Sequence, residues 1–494
     1  MKLLTIHSCL RASLGFLFAC TVVLCSRSSL ADEAPPNIVV LLCDDLGYGD
    51  LGSFGHPHIK TPNLDKLAAR GIRLTACYAA SAVCSSSRAG LLTGRNPNRD
   101  GIYDWLPGGI PVYLSTRIPN IASTLSAAGY QTALVGKWHL NGLFNDSRQP
   151  QPGAYGFDHW MATQNNASPS HQKPNNFVRN GQAVGKLEGY SCQEVASEAI
   201  GWLDGIDRDR PFFMHICFHE PHEPVASPKA LTDSYRDVAK NEKQAEYFAN
   251  VTNMDDAVGR IVESLRKRRL LNNTLIFFTS DNGPETLNRY KGAARSYGTT
   301  GDLRAMKLHV YEGGIRVPGI IHWPAKIRTP REDNTPVSAV DLLPTLQALS
   351  GITLDAEHSI DGTSLLDWID GAPLDRKTPL YWFYYRALSP PRFAIRSGRW
   401  KLVASWNGPL MLEARGGPGG RNINPEAIKI FKQATLSGFE LYDMSLDQAE
   451  KHDVSHEHPE TLDRLKKKAI VLFTRLQSEG PDWPETADYW AGRK

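Results

Sequence analysis

The 494-residue chain reads as an α/β protein: a large mixed, mainly parallel sheet sandwiched by helices, followed by a smaller C-terminal α+β subdomain with an antiparallel sheet. Three observations predict this. Short apolar runs alternate with helix-period stretches, which is the pattern of a parallel sheet wrapped by helices. Clusters of polar residues stand just after the ends of four of those runs, where ligands bind in open α/β sheets. From about residue 376 the texture changes to strands of the antiparallel kind, "RFAIRSGRWKLVASW" and "FELYDMS".

Taken in order, Lys2 and Arg11 precede an apolar run from about Ala12 to Leu24, and Ser29 and Ala31 are small residues before a cut. Residues 1–31 are therefore expected to be a signal peptide, and the chain to be exported, periplasmic or secreted. The run is too short for a membrane span, no later segment is long and apolar enough, and Phe18 fits a lipoprotein box ending at Cys20 poorly. "NIVVLLC" is the first strand. "TPNLDKLAARG" is a helix with Thr61 as cap, Pro62 at its first position and Gly71 as terminator. "TALVG", "PFFMHICF" and "TLIFFTS" are further strands, with a long helix near 241–270 before the last of them. A large catalytic domain is expected over 32–375 and the subdomain over 376–494, with a helix near 459–478 and a Gly-rich loop at "EARGGPGGRN".

Composition narrows the function. Hydrophobic residues make up 41% and charged residues 22%, an ordinary globular mix, and a net charge of +3 is too small for a nucleic-acid footprint. Five cysteines follow the leader: Cys43, Cys77, Cys84, Cys192 and Cys217. An odd number in an exported chain argues against a disulfide framework. Cys43 and Cys217 lie in strand-like runs and read as buried, inert thiols. Cys84 lies outside any such run, and Cys192 has no evident place.

The polar clusters are Asp44 and Asp45 after the first strand, "GKWH" after "TALV", "HEPHEP" after "FFMHICF", and "DNG" after "TLIFFTS". Asp44, Asp45, Asp281 and Asn282 offer hard oxygen ligands suited to Ca²⁺, with Mg²⁺ second. Asp-Asn-Gly by itself is a common turn, and it is the pairing with Asp44 and Asp45 that favours a metal. In "AVCSSSRAGLLTGR" a helix closed by Gly94 puts Cys84 at an exposed N-terminus and Arg88 one turn on. Both the helix dipole and the guanidinium stabilise negative charge there.

These residues carry a resemblance. The chain resembles the type I sulfatases of the alkaline-phosphatase-like superfamily, whose Cys-x-Pro-Ser-Arg followed by Thr-Gly is matched by Cys84, Ser87, Arg88, Thr93 and Gly94. "PNIVVLLCDDLGYGDLGSFG", "ALVGKWHL", "FHEPHEP", "TSDNG", "YEGGIRVPGIIHWP" and "FELYDMSLD" follow in the family's order, so the likeness runs from about residue 36 to about 455. One departure is Ser86, where the family usually has Pro or Ala, in the segment that the maturating enzyme reads.

The resemblance implies a sulfuric ester hydrolase acting on a sulfated saccharide. Cys84 would be converted by a formylglycine-generating or equivalent maturating enzyme to formylglycine, whose aldehyde hydrate is the nucleophile. It makes Asp44, Asp45, Asp281 and Asn282, with the formylglycine at Cys84, the ligands of one Ca²⁺. Arg88 and Lys137 would hold the hydrate and the sulfate oxygens, His139 would take a proton when sulfate is expelled, and His222 and Lys307 would bind or protonate the leaving group. The chemistry is coherent: metal, Arg and Lys neutralise the charge that develops as the ester breaks. The second hydroxyl of a hydrate can expel sulfate where a serine cannot, splitting hydrolysis into two easier steps.

Two alternatives stand beside this. A phosphate or phosphonate ester hydrolase of the same superfamily is disfavoured by the lack of an evident His/Asp two-metal set, and a non-catalytic sulfated-sugar binder would have lost conversion at Cys84. The segment "QNNASPSH" reads first as an ordinary polar loop and second as a sugar subsite. His219, three residues before His222, is left outside the catalytic set. The substrate is expected to be of the galactose or N-acetylgalactosamine sulfate type, with neither sugar nor position fixed.

Overall fold

The run Asn37–Asp44 is apolar almost throughout because the strand it forms, β1, is covered on both faces. Val39, Leu41 and Cys43 enter one hydrophobic cluster with the helices Pro62–Ala69, Ser191–Trp202 and Glu242–Lys267. Ile38, Val40 and Leu42 enter the other, with Cys84–Thr93, Ile121–Ala127 and Leu342–Ser350. The two-residue period of a strand thus assigns alternate side chains to two helical layers.

In the computed structural model, residues 34–353, 358–408 and 425–483 are described. The expected signal peptide at 1–31 and the Gly-rich stretch at 413–422 lie outside them. The other strands of the large sheet are β2 (Ile72–Tyr78), β3 (Gln131–Lys137), β4 (His159–Thr163), β5 (Val178–Arg179), β6 (Gln182–Ala183), β7 (Phe212–Pro221), β8 (Thr274–Ser280), β9 (Arg316–His322), β10 (Arg331–Asp333) and β11 (Val337–Ser338). Their order is β10-β2-β9-β8-β1-β7-β3-β4-β5-β6, with β11 beside β2. The centre, from β8 through β4, is parallel. β9 runs antiparallel to β8 and β2, and β5 and β6 antiparallel at the far edge. The predicted mixed, mainly parallel sheet is what forms.

One local expectation is corrected. Thr61 occupies the cap position but its side chain does not cap; its hydroxyl donates to Asp65 Oδ1 and accepts from the Gly52 N–H. The first-turn N–H groups of Asn63 and Leu64 go instead to Asp255 on the long helix, at 3.0 and 2.8 Å. A tertiary carboxylate does what a local cap was expected to do. Helix Pro62–Ala69 ends before Gly71, which packs on β9.

Strands β12 (Leu380–Phe383), β13 (Phe393–Ser397), β14 (Trp400–Trp406) and β15 (Leu436–Asp443) form the antiparallel second sheet. Helix Pro459–Glu479 packs on it through Phe473, which meets Phe383, Phe393 and Phe431; Phe383 stacks on Phe431 at 4.5 Å. Such pairs each add roughly 0.5–1.5 kcal/mol beyond their burial. Trp382 Nε1 donates to the Ala79 carbonyl, and Lys401 lies 2.8 Å from Glu312, so this sheet is tied to the segments that carry the site.

Candidate active site

Four parallel strands deliver the polar clusters to one place because all four end on the same edge of the sheet. Asp44 ends β1, Lys137 ends β3, His219 lies near the end of β7, and Asp281 follows β8. Near the end of β3 the backbone approaches β7 closely: Gly136, paired with Cys217, has φ 109°, and a Cβ there would lie 1.8 Å from the Cys217 carbonyl oxygen. Only glycine fits that position.

Cys84 is the first residue of its helix, which Gly94 closes at φ 64° by donating to the Gly90 carbonyl, as predicted. The expectation that this helix start is exposed is corrected: Cys84 is 4% exposed and every residue of the helix is buried. It forms part of the wall of a cavity of about 380 Å³, together with His139, His222 and Lys307. Among the described residues all five cysteines are free and buried; Cys192 lies on helix Ser191–Trp202, with its thiol on the Asn253 carbonyl. Burial pushes the Cys84 thiol up to about 11 despite Lys137 and Lys307.

Beside the cavity the remaining predicted residues interlock. Lys137 Nζ donates to Asp44 Oδ2 at 2.6 Å, and Lys307 Nζ to both oxygens of Asp45 at 2.7 and 2.8 Å. Arg88 Nε donates to Asp281 Oδ2 at 2.9 Å and Nη1 to the Lys137 carbonyl at 3.0 Å. Asn282 Nδ2 donates to Asp45 Oδ1, and the Asp45 N–H to Asp281 Oδ1. Arg88 therefore orders the acids from behind, while Lys307 reaches the cavity. Three carboxylates face three cations.

Burial works to raise Asp44, but Lys137, with His222, Arg88 and Lys307, holds it well below the usual carboxylate range. Asp45 and Asp281 are pushed up to about 6 by burial, reinforced by neighbouring carboxylates. Two buried acceptors, Asp44 Oδ1 and Asn282 Oδ1, have no hydrogen-bond partner. Ligand atoms of Asp44, Asp45 and His222 lie within 4.8 Å of one another, with His222 Nε2 3.5 Å from Asp45 Oδ2. Unpaired buried oxygens beside a carboxylate cluster fit a hard cation.

The two histidines are held in defined tautomers. His139, at φ 58°, puts Nε2 3.1 Å from the Leu106 carbonyl. A carbonyl only accepts, so Nε2 carries the proton and the unpartnered Nδ1 holds the lone pair. Burial, with Lys137 and Arg88, keeps this ring well below its usual value and neutral. His222 Nδ1 donates to the Glu223 carbonyl, leaving Nε2 toward Asp45; burial lowers it to about 4. His219 turns away from the cavity: its Nε2 lies 2.8 Å from Thr163 Oγ1, which donates to the Asn165 carbonyl.

Comparison with known proteins decides the family. The model described as Sulfatase matches residues 36–352, and that described as N-sulphoglucosamine sulphohydrolase, C-terminal, matches 304–413. Arylsulfatase A of Homo sapiens is 32% identical over 91% of this chain and 90% of its own length. The chain belongs to the sulfatase family. The resemblance carried by Cys84, Arg88 and the motifs around them is borne out, and the protein is a sulfuric ester hydrolase. N-acetylgalactosamine-6-sulfatase of Rattus norvegicus is 35% identical over 91% of this chain and 87% of its own length. Among solved structures, Ps i-CgsB in complex with k-i-k-neocarrahexaose aligns at a TM-score of 0.76, with 28% identity over 92% of this chain and 96% of that one.

Sequence reading missed part of this sulfatase's cavity. Trp105, Glu285, Arg289, Tyr290, Tyr384 and Arg386 line it, and so do Asn165 and Asn166 from the loop read first as ordinary. Asn166 Oδ1 also accepts from Lys137 Nζ at 3.3 Å. Nothing in "GIYDWLP" marks Trp105, and nothing in "FYYR" marks Tyr384 or Arg386.

Proposed function

We propose that this sulfatase removes sulfate from a sulfated carbohydrate of the galactose or N-acetylgalactosamine type, using a formylglycine made from Cys84 and one Ca²⁺. The observation that carries the reading is the placement of Cys84 in a cavity wall with Lys307, His139 and His222, beside an acidic cluster with two unpartnered oxygens. Relatives named for N-acetylgalactosamine 6-sulfate and a structural neighbour crystallised with a neocarrahexaose support a saccharide substrate.

Asp44, Asp45, Asp281 and Asn282 would hold the cation, all through oxygen, which favours Ca²⁺ over softer metals. Three acids already balanced by three cations become net positive with a divalent ion, an environment that attracts a sulfate ester. The ion supplies Lewis-acid polarisation of a sulfate oxygen, and the aldehyde hydrate a nucleophile with a second hydroxyl.

The chain's own groups then have distinct tasks. Lys137 and Lys307 neutralise charge on the sulfate and bridging oxygens. Arg88 orients Asp281 and Asp44. His139 presents the Nδ1 lone pair as the base, its other nitrogen fixed on Leu106. Lys307, which lines the cavity, would give the departing alkoxide its proton, and His222 Nε2, whose lone pair is left free, would accept a hydrogen bond from the alcohol so formed. Export by the leader at 1–31 and maturation by a formylglycine-generating enzyme belong to the same proposal.

Mass spectrometry of the Cys84 peptide, with hydrazine trapping of an aldehyde, tests it together with turnover of sugar sulfates. An intact thiol in an active preparation overturns the formylglycine assignment. Conversion without turnover of any sugar sulfate overturns the substrate class.

A further inference from the structure

One wall of the cavity carries guanidinium groups that the chemistry at sulfur does not need. Arg289 and Arg386 both line it, each paired with a buried carboxylate. Arg289 Nε and Nη2 donate to the two oxygens of Glu285, both at 2.7 Å, and Arg386 Nη1 donates to Asp104 Oδ2 at 2.6 Å. The side chains of Glu285 and Asp104 are 4% and 0% exposed, whereas those of Arg289 and Arg386 keep 27% and 23%. Asp104 is shut away behind the wall, Glu285 stands in the wall beside Arg289 with little of its surface open, and both cations are open to the cavity.

Asp104 does more than pair one arginine. It also accepts from the Trp105 N–H at 2.8 Å and the Tyr384 hydroxyl at 3.1 Å, so a single buried carboxylate fixes three residues of the wall. Tyr384 lines the cavity together with both arginines. This wall adjoins Lys307. The Leu388 N–H donates to the Leu308 carbonyl at 3.1 Å, and Glu285 contributes to the charge around Lys307.

We infer that Arg289 and Arg386 select substrates bearing a second anionic group, a sulfate or a carboxylate, on the departing sugar or its neighbour. The inference rests on the carbohydrate reading above. The charge of the scissile sulfate is met by Lys137, Lys307 and the acidic cluster with its ion. A neutral sugar needs only amides and hydroxyls such as Asn165 and Asn166 provide. Guanidinium groups held in place by buried acids match the flat or tripodal oxygens of a second anion, and their ordering is complete before substrate arrives.

The test compares kcat/KM of the converted enzyme on 4-nitrophenyl sulfate, on singly sulfated galactose and N-acetylgalactosamine, on their disulfated counterparts, and on singly sulfated disaccharides carrying a uronate. A second charged contact is expected to favour the best dianionic sugar over the best monoanionic one by about tenfold or more. Arg289→Gln and Arg386→Gln should each reduce that ratio about tenfold. Because Arg386→Gln takes the cation away from Asp104, the double variant Asp104→Asn/Arg386→Gln is measured as well, with its melting temperature. The disulfated and uronate arms tell which anion is read, and preference for either supports the inference. A wild-type ratio near one, or a ratio unchanged in every folded variant, overturns it while leaving the carbohydrate reading in place. Hydrolysis of the aryl sulfate with no sugar sulfate accepted removes that reading, and the arginine clamp with it.

Discussion

Lys137 Nζ lies 2.6 Å from Asp44 Oδ2, while the other oxygen of the same carboxylate, Oδ1, has no hydrogen-bond partner. One side chain thus divides its two oxygens between an ammonium and an open position, the latter 3.7 Å from Arg88 Nη2 and beyond hydrogen-bond reach. If the open position belongs to Ca²⁺, Lys137→Ala removes a positive charge from beside the ion without removing a ligand. Its activity should fall about a hundredfold or more, the usual cost of losing a charge stabiliser of the transition state, while calcium affinity holds or rises. Calorimetric titration with Ca²⁺ beside kcat/KM checks this. Affinity and activity falling together would mean that Lys137 serves only to shape Asp44.

The nucleophile assignment makes a paired prediction at residue 84. Cys84→Ala should fold, since Cys84 lines a cavity and its loss opens no new void, and should have no turnover. Cys84→Ser should release at most one equivalent of 4-nitrophenol per site and then stop, because a serine lacks the second hydroxyl. Burst kinetics decide it; sustained turnover by the serine variant would sink the hydrate mechanism.

Metal removal is the third. Exhaustive chelation should abolish most activity, and Ca²⁺ should restore it better than Zn²⁺, since the donors are carboxylate and amide oxygens. Asp281→Ala should behave like the chelated enzyme and resist restoration. Full activity in a preparation shown metal-free by elemental analysis would remove the ion from the scheme.

How much of this was legible follows from what each residue answers to. The strands were legible because β1 and its neighbours are covered on both faces and must be apolar, and the acids at their ends stood out against that background. Helix Cys84–Thr93 was legible from Gly94, a local conformational demand. Thr61 misled because its competitor, Asp255, is distant in sequence. Arg386 was not legible at all: it owes its place to Asp104, 282 positions away, and pairing across such a separation leaves no periodic trace. Trp105 was not legible because its N–H rests on the adjacent Asp104, a local contact that does not show that the ring faces a cavity. The burial of Cys84 was missed because polar serines made the segment look solvated, whereas Ser85 and Ser87 accept from the Leu106 and Ala80 N–H groups.

A pH prediction comes from outside the site. Lys401 is buried between Glu312 and Glu450, each 2.8 Å away, so two carboxylates share one ammonium. Burial, together with Glu312 and against the pull of Lys401, lifts Glu450 from an ordinary 4.5 to about 7. The folded state therefore binds the extra proton between those values. The stabilisation is complete below about pH 4.5 and is lost as pH rises to about 7, a swing on the order of 1–3 kcal/mol. Glu450→Gln should flatten that part of the profile and raise the melting temperature relative to wild type more at pH 8 than at pH 5. A constant difference across the range would show that Glu450 is ionised throughout.

The last prediction separates His139 from His222. His139 holds its proton on Nε2 against the Leu106 carbonyl and offers Nδ1 as a base, whereas His222 is anchored through Nδ1 and turns Nε2 toward Asp45, on the side of Lys307. If His222 helps the alcohol depart, His222→Ala should cost roughly 10²–10⁴-fold on sugar sulfates, whose alkoxides leave poorly, and far less on 4-nitrophenyl sulfate, whose phenolate leaves unaided. If His139 acts only after the alcohol has gone, His139→Ala should lower kcat on both substrates alike and leave kcat/KM nearly unchanged, because that ratio reports only steps up to the first irreversible one. The fixed tautomers sharpen the contrast: His139→Gln keeps a hydrogen bond to Leu106 but supplies no base, so it should be as slow as the alanine variant. Equal losses on aryl and sugar sulfates for His222→Ala, with kcat/KM falling in His139→Ala, would exchange the two roles.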